Sequence, residues 1–592
     1  MTANSRWSSR GAPSLSPHRR SSRPDRTNAV SRSGRTGLLP RTAISTRCSR
    51  PGTASTPVWA MEATCTTIWS PSASRPASGR SHCDTQRGNL QVHMNCYMGV
   101  DIGTSGCKAV VFDETGKQVG SSYREYDLIC PQPGWAELDS DEVMEKCFEV
   151  IAASAAQAPD GSVRGLGISS QGEAFTPVDA NGKSLCRAMV SSDTRAVRYA
   201  TQWSERFGVE RLYQITGQTV HPMYTLFKLL WLKDNQPDVW TRADRFFCFE
   251  DLLQYRLGID PAIGWPLAGR TMLFDVRGHH WSEEILDAIG LSSRKLARPL
   301  PSGGAAGNVP AKIARDLGLP DDVIVAAGGH DQTCGALGAG VTHPGVAMYA
   351  TGTVECIAPV FSEPIFSDDL RDNNFCIYDA AVPDMYATIA FSLTGGNILK
   401  WFRDEFGAAE VQQAEKTGVS PYDLLLATMS EKPSGLMVLP YFTPSATPYF
   451  DIETPGAILG LRLSTTRAQI IRALLEGVAF EMLLNLDILE RCGHCVSELR
   501  TVGGGAKSKI WTQLKADVMG RPVVVLEVTE AGCLGVAILA KTARTGESPS
   551  DIAARWVRPV CTVQPRSEFA DFYRGRLNLY KRLYPTLREL NG

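Results

Sequence analysis

The chain is predicted to be an α/β protein of two large domains preceded by a tail without a stable fold. Three observations lead there. Its 592 residues, 43% of them hydrophobic, exceed one ordinary domain and suffice for at least two buried cores. Strand-like and helix-like segments alternate from residue 97 onward. A pattern of strand, small-residue turn and strand occurs near residue 97 and again near residue 345, which suggests internal duplication.

Residues 1–93 hold 14 Arg, no Lys and only three acids (Asp25, Glu62, Asp84), a net charge of +11 that leaves −12 for the rest of the chain. Rich in Ser, Arg, Pro and Thr and without hydrophobic periodicity, this tail cannot bury enough apolar surface to offset its ordering entropy, so disorder is expected. Two origins fit it. An organelle transit peptide shares the Arg- and Ser-rich, acid-poor composition, although no clear amphipathic helix is present. A true start at Met94 or Met98 is the favoured alternative, because Arg without Lys over 93 residues has the bias of translated GC-rich sequence. The acidic body carries no basic stripe to neutralise phosphates, which argues against a nucleic-acid partner. No run approaches the ~18 apolar residues of a membrane span. Sixteen scattered Cys lack paired metal-ligand spacing, and a reduced, cytoplasmic protein is expected.

The elements follow in order. Residues 97–119 read as strand, glycine turn and strand, and 140–156 as a helix capped by Asp139 or Ser140, with Val143, Met144, Cys147, Val150 and Ile151 as its apolar stripe. A strand spans 165–169. The run Val323-Ile-Val-Ala-Ala-Gly-Gly-His-Asp-Gln is a buried strand delivering polar residues at its C-terminal end, where open α/β folds place ligands. A glycine- and alanine-rich helix or turn covers 335–340, and the domain boundary is set between 342 and 343. Cys492-Gly-His-Cys495 follows an apolar helical stretch and precedes a strand, the reverse of the order a thioredoxin-like site requires, so it is read as a helix-terminating loop. A strand from 499 runs into Gly503-Gly-Gly-Ala506, then a helix over 508–519 and a small-residue helix over 531–543.

Three strand-to-glycine-loop junctions carry the chemistry. Phosphates bind where backbone N–H groups approach closely, which favours residues without bulky side chains. Asp101-Ile-Gly-Thr-Ser-Gly-Cys-Lys108 combines such backbone with the hydroxyls of Thr104 and Ser105, the cation of Lys108 and a strand-end carboxylate. Ala350-Thr-Gly-Thr353 offers hydroxyls on a hairpin, and Gly503-Gly-Gly-Ala506 opens a helix whose dipole favours an anion. Each loop alone is an ordinary glycine turn, and a strand-end Asp alone is more often a cap. Three such loops with Asp331 between them are harder to dismiss. None is a Walker P-loop.

Over about residues 97–588 the chain resembles the FGGY carbohydrate kinases of the actin-like ATPase superfamily. Two signatures carry the resemblance: Met223-Tyr-Thr-Leu-Phe-Lys-Leu-Leu-Trp-Leu-Lys-Asp-Asn235, and a second from Gly456-Ala-Ile-Leu-Gly-Leu461 through Gln469-Ile470 to Ala473-Leu-Leu-Glu476. By themselves these read as an amphipathic helix and as a turn leading into a core helix. The resemblance implies two actin-like, ribonuclease H-like domains around a central cleft: residues 97–342 for sugar binding and the catalytic base, and 343–592 for the nucleotide. It implies ATP and Mg²⁺, with Asp331 as the base that deprotonates the attacking hydroxyl and Asp101 as the residue holding Mg²⁺ through water. Thr104, Ser105, Lys108, Thr351, Gly352 and Thr353 would orient the β- and γ-phosphates, and Gly504, Gly505 and Ala506 would line the nucleotide, with Lys507 beside them. A homodimer is compatible with it, as is closure of the domains over the cleft.

The sugar pocket is expected at Gln171, Glu173, Asp193, Asp331 and Gln332. Where glycerol kinases carry Gln-Arg-Glu and xylulokinases Gln-Met-His, this chain has Gln171-Gly172-Glu173, and Ser191 or Ser192 replaces an aromatic before Asp193. Losing both bulky walls implies a more open pocket, suited to a pentulose or hexulose rather than glycerol. Asp193 and Arg195 have a second reading, a structural ion pair behind the pocket. Two rival functions, a non-catalytic sugar sensor and an actin- or chaperone-like ATPase without a sugar acceptor, are disfavoured by the intact Asp101, Asp331 and loops, and by the two signatures.

Overall fold

The computed structural model describes residues 95–591; the disorder expected of 1–93 lies outside them. Asp101 ends the first strand because the next residues, Gly103 to Gly106, turn the chain: the Gly103 N–H reaches the Gly106 carbonyl at 3.0 Å. Strands β1 (Cys96–Ile102), β2 (Gly106–Asp113) and β3 (Gln118–Glu125) form an antiparallel meander, and β4 (Val163–Ser170) and β6 (Ile324–His330) extend it in parallel, with β5 (Ala305–Asn308) at the edge. The order is β5-β6-β4-β1-β2-β3.

A second sheet has the same opening hairpin. Strands β7 (Val346–Thr351) and β8 (Glu355–Phe361) pair antiparallel, and β9 (Glu498–Val502) and β10 (Val523–Leu526) continue beside β7 in parallel before β11 (Pro559–Val563) closes the edge. The duplication expected from the sequence is thus visible as two mixed sheets.

Helix α1 spans Ser140–Ala155, with Asp139 as its cap accepting from the N–H groups of Asp141 and Glu142; all five residues of the anticipated stripe are buried. Helix α2 (Asp331–Gly338) leads from β6 toward the second sheet, and α5 (Ala531–Thr545) returns from the second sheet onto the first. Between them in sequence, α3 (Arg467–Arg491), opened by a Thr466–Gln469 capping box, packs along the second sheet, and α4 (Lys509–Met519) follows β9. Burying an aliphatic side chain stabilises by ~1.5–3 kcal/mol, so the apolar residues of α3 are a large part of that core.

Helix α5 lies directly on backbone. A Cβ at Gly99 would stand 1.9 Å from the Cys533 carbonyl oxygen, and one at Gly167 2.0 Å from that of Val536. Where α2 and α5 cross, a Cβ at Gly338 would meet the Ala531 oxygen at 1.9 Å and one at Gly535 the Cys334 oxygen at 1.9 Å. Only glycine permits this approach.

Two expectations change in detail. The 503–506 glycines do not open a helix directly: Gly503 turns at φ 88°, Gly504–Lys507 form a 3₁₀ turn, and α4 starts after Ser508, whose hydroxyl caps the Trp511 N–H. Cys492 is the C-cap of α3 and Gly493 turns at φ 91°, so the Cys-Gly-His-Cys run does end a helix. Among the described residues no helix is long and apolar enough to cross a membrane.

Candidate active site

Three adjacent parallel strands, β6, β4 and β1, end on one edge of the first sheet, and each delivers a polar residue there. Register pairs Asp101 with Ser169, Ser169 with Gly329 and Ser170 with His330. Asp331 follows β6 as the first residue of α2. Burial pushes its carboxyl up to about 7, helped by the charges of Asp101 and Glu173 and opposed by hydrogen bonds from Gln332. Gln332 keeps a buried side-chain oxygen without a hydrogen-bond partner.

Asp101 Oδ1 accepts from the Ser169 hydroxyl at 2.8 Å, and its carboxyl is raised by burial and by Glu530. Lys108 is paired with Glu530 at 2.7 Å, so the loop cation is already partly neutralised. Thr104 and Ser105 are exposed at the hairpin tip. Gln171 is buried and spends its side chain on this loop, its Nε2 donating to the Gly103 carbonyl at 3.0 Å and its Oε1 accepting from Thr104 at 3.2 Å.

Glu173 sits at φ 64°, an uncommon conformation for a residue with a side chain. The first signature helix, Thr225–Asn235, holds it there: Thr225 Oγ1 and Lys228 Nζ donate to the Glu173 carbonyl at 2.9 and 3.4 Å. Its carboxylate is gripped by Arg270 and by the Ser191 hydroxyl at 2.6 Å. Burial pushes that carboxyl up, but Arg270 and the other partners outweigh it, and the net shift is downward. Arg270 also donates to Gln218 at 3.1 Å. No local pattern in the sequence marks Arg270, which lies 97 positions from Glu173.

Of the two readings of Asp193, the ion pair is the one formed. Asp193 is 0% exposed and takes hydrogen bonds from the Arg195 guanidinium at 2.6–2.9 Å and from the Ala136 N–H at 2.7 Å, with Arg195 stacked 3.6 Å over Trp135. This corrects its assignment to the sugar pocket, since no exposed oxygen remains. The expectation of a more open pocket also changes: a Cβ at Gly172 would lie 2.9 Å from the His330 ring, so the imidazole fills the space a larger residue would take.

In the second sheet the glycine loops pack on each other. A Cβ at Gly505 would stand 2.2 Å from Thr351 Cγ2, and one at Gly503 2.7 Å from the Thr351 oxygen. Thr351 is buried and its hydroxyl is bound by Lys515, which also pairs with Glu355 at 2.6 Å. That corrects its expected role as a free phosphate ligand; it braces the loop. Gly352, Thr353, Gly504 and Gly505 instead line a cavity of about 510 Å³ that also includes Asn397, Tyr422, Leu426, Lys507 and Trp511. Ala506 and Lys507 belong to the 3₁₀ turn, with Lys507 on the wall. A glycine-lined end and an apolar, aromatic end suit a molecule with phosphates at one end and a flat base at the other. The helix Gly396–Phe406, which contributes Asn397, was absent from the sequence reading.

The model of the N-terminal domain of the FGGY family of carbohydrate kinases matches residues 96–338, and that of its C-terminal domain matches 347–544. A xylulose kinase from Staphylococcus epidermidis is 30% identical over 504 residues, covering 84% of this chain and 97% of its own length. A gluconokinase from Bacillus licheniformis is 28% identical with the same coverage. The crystal structure of a xyloylose kinase from Brucella ovis superposes with a TM-score of 0.76 at 28% identity, covering 84% of this chain and all of that one.

Proposed function

Because the chain belongs to the FGGY family of carbohydrate kinases, we propose that it transfers the terminal phosphoryl group of ATP to a hydroxyl of a neutral ketose, with xylulose or another pentulose as acceptor and Asp331 as base. The observation that carries the base assignment is Asp331 itself, a strand-end carboxylate whose affinity for a proton, near pH 7, matches the work of taking one from a hydroxyl and releasing it again. As the acceptor oxygen bonds to phosphorus and ADP departs, the hydroxyl proton passes to Asp331. Positioning and charge neutralisation supply most of the rate. The first loop and the exposed Thr353 face the phosphates, and the cavity around Gly504, Gly505 and Trp511 takes the nucleoside. Residues 97–342 thus serve sugar and base, and 343–592 serve the nucleotide.

Asp101 would hold Mg²⁺. Its carboxyl is raised by burial and by Glu530, a repulsion that a dication relieves, and the absent side chain of Gly532, where a Cβ would lie 3.3 Å from the Asp101 carboxylate, leaves room beside it. Among the described residues no group of three or more His, Cys, Asp or Glu could hold a metal, which fits an ion kept mainly by water and phosphate oxygens. The ion would neutralise charge on the transferred group.

A neutral ketose is favoured over an aldonic acid because both buried cations are committed: Arg270 to Glu173 and Gln218, and Lys228 to backbone carbonyls of Glu173 and Met189. The unpartnered Gln218 Nε2, Trp265 Nε1 and Gln332 Oε1 remain for sugar hydroxyls. The cytoplasm is the compartment assigned, and a homodimer the assembly allowed. The test is ADP release screened across ketoses, polyols and aldonic acids with wild type and Asp331→Ala. Turnover is expected with a ketose, and a loss of at least ~10³-fold in the variant with ATP binding retained. Stimulation by aldonic acids alone would overturn the substrate class, and near wild-type turnover of Asp331→Ala the base.

A further inference from the structure

His330 is the last residue of β6 and is 5% exposed. Its Nε2 lies 3.2 Å from Asp331 Oδ1 and its Nδ1 3.0 Å from the Tyr378 hydroxyl. Burial and the neighbouring Arg270 charge push the imidazole down to about 3, so the ring is neutral and the contact with Asp331 is a hydrogen bond, not an ion pair. A neutral ring has one N–H. The Asp331 carboxylate can only accept, so the proton is on Nε2. Nδ1 then accepts from Tyr378, whose hydroxyl burial keeps protonated.

Two further observations show that the ring is built in place. Gly172 leaves the space it fills, and Tyr378 comes from a segment fastened to the first domain, where the Ile377 N–H donates to the Gly217 carbonyl at 2.7 Å. The result is a directed chain: Tyr378 O–H to His330 Nδ1, and His330 Nε2–H to Asp331 Oδ1.

We propose that His330 is a positioning residue for phosphoryl transfer, fixing one oxygen of Asp331 so that the other meets the acceptor hydroxyl, with Tyr378 setting the tautomer that makes this possible. This rests on Asp331 being the base. During the reaction the hydroxyl proton goes to Asp331, the sugar oxygen bonds to phosphorus as the bond to ADP breaks, and His330 keeps its own proton. The other titratable groups around the pair are Asp101, Glu173, Arg270, Cys334 and Cys356, and none of them donates to Asp331 in place of His330.

A hydrogen bond to a carboxylate favours its charged form, so losing it raises the pH at which the base protonates. The experiment is the pH dependence of kcat/KM for wild type, His330→Leu, His330→Gln and Tyr378→Phe, with KM for ATP measured alongside. For His330→Leu the acid limb is expected to move up by about one pH unit, with turnover at pH 7 down ~10-fold and KM for ATP unchanged. His330→Gln, whose amide N–H replaces Nε2–H, should recover most of the loss, and Tyr378→Phe should shift the limb the same way by less. Acid limbs of His330→Leu and wild type that superimpose would overturn the proposal. If His330→Leu does not fold, Tyr378→Phe decides: an unshifted limb in that near-isosteric variant overturns the tautomer chain. An Asp331→Asn variant with wild-type turnover would instead remove the base itself, a failure visible independently of His330.

Discussion

Glu250, on the helix Phe249–Arg256, accepts the N–H of Gly328 at 2.8 Å and that of Gly264 at 3.2–3.3 Å, with no exposed surface. Burial pushes its carboxyl up to about 8, and the two backbone donors pull it back only in part. A carboxyl raised on folding contributes stability that is fully present below its unfolded value of ~4.5 and is lost as pH rises through 8. Replacing Glu250 with Gln removes that dependence. Relative to wild type, the melting temperature of the variant should rise by several degrees between pH 5 and 8.5, and a constant difference across that range would contradict the assignment. Asp193 gives the complementary case. Asp193→Asn leaves Arg195 buried without its charge partner, so denaturant unfolding should register a loss of ~3–5 kcal/mol while KM for the sugar stays within about twofold. The two-residue spacing of Asp193 and Arg195 could not decide between pocket and ion pair in the sequence. Burial decides it, and burial depends on Trp135 and Ala136, nearly sixty residues away. Arg270 and Tyr378 were illegible for the same reason: they meet Glu173 and His330 only through the fold.

At the scale of elements, local signals carried further. The stripe and cap of α1, the strand ending at His330 and the hairpin at 346–361 were all readable, because hydrophobic period and turn chemistry are properties of neighbours in sequence. What could not be read is which glycines face a backbone. Gly535 on α5 and Gly575 on the helix Ala570–Tyr580 are both helical glycines, yet a Cβ would meet Cys334 at 1.9 Å in the first and nothing within 4 Å in the second. Opposite outcomes are expected from the same substitution. Gly535→Ala should destabilise by ~1–3 kcal/mol or more through overpacking, whereas Gly575→Ala should stabilise by ~0.5–1 kcal/mol through helix propensity. Urea unfolding of both variants checks this, and a stable Gly535→Ala protein would show that the helices can separate without cost.

For the whole molecule, the two sheets are joined through α2 and α5, and the residues assigned to sugar and nucleotide come from different sheets. Bringing acceptor and phosphate together requires those surfaces to approach. Small-angle scattering should show a smaller radius of gyration with a non-hydrolysable ATP analogue plus the accepted sugar than with neither, and an unchanged radius would refute closure. The glycines at the α2–α5 crossing have a mechanical meaning here. Two backbones in direct contact, with no side chains to interlock, behave as an axle: they resist being pulled apart far more than being turned. Asp331, the first residue of α2, lies close to that axis, while Thr353 and Gly504 lie out along the second sheet. A small rotation therefore sweeps the phosphate loops through an arc while the base hardly travels, so the enzyme can admit and release nucleotide without ever losing aim at the sugar.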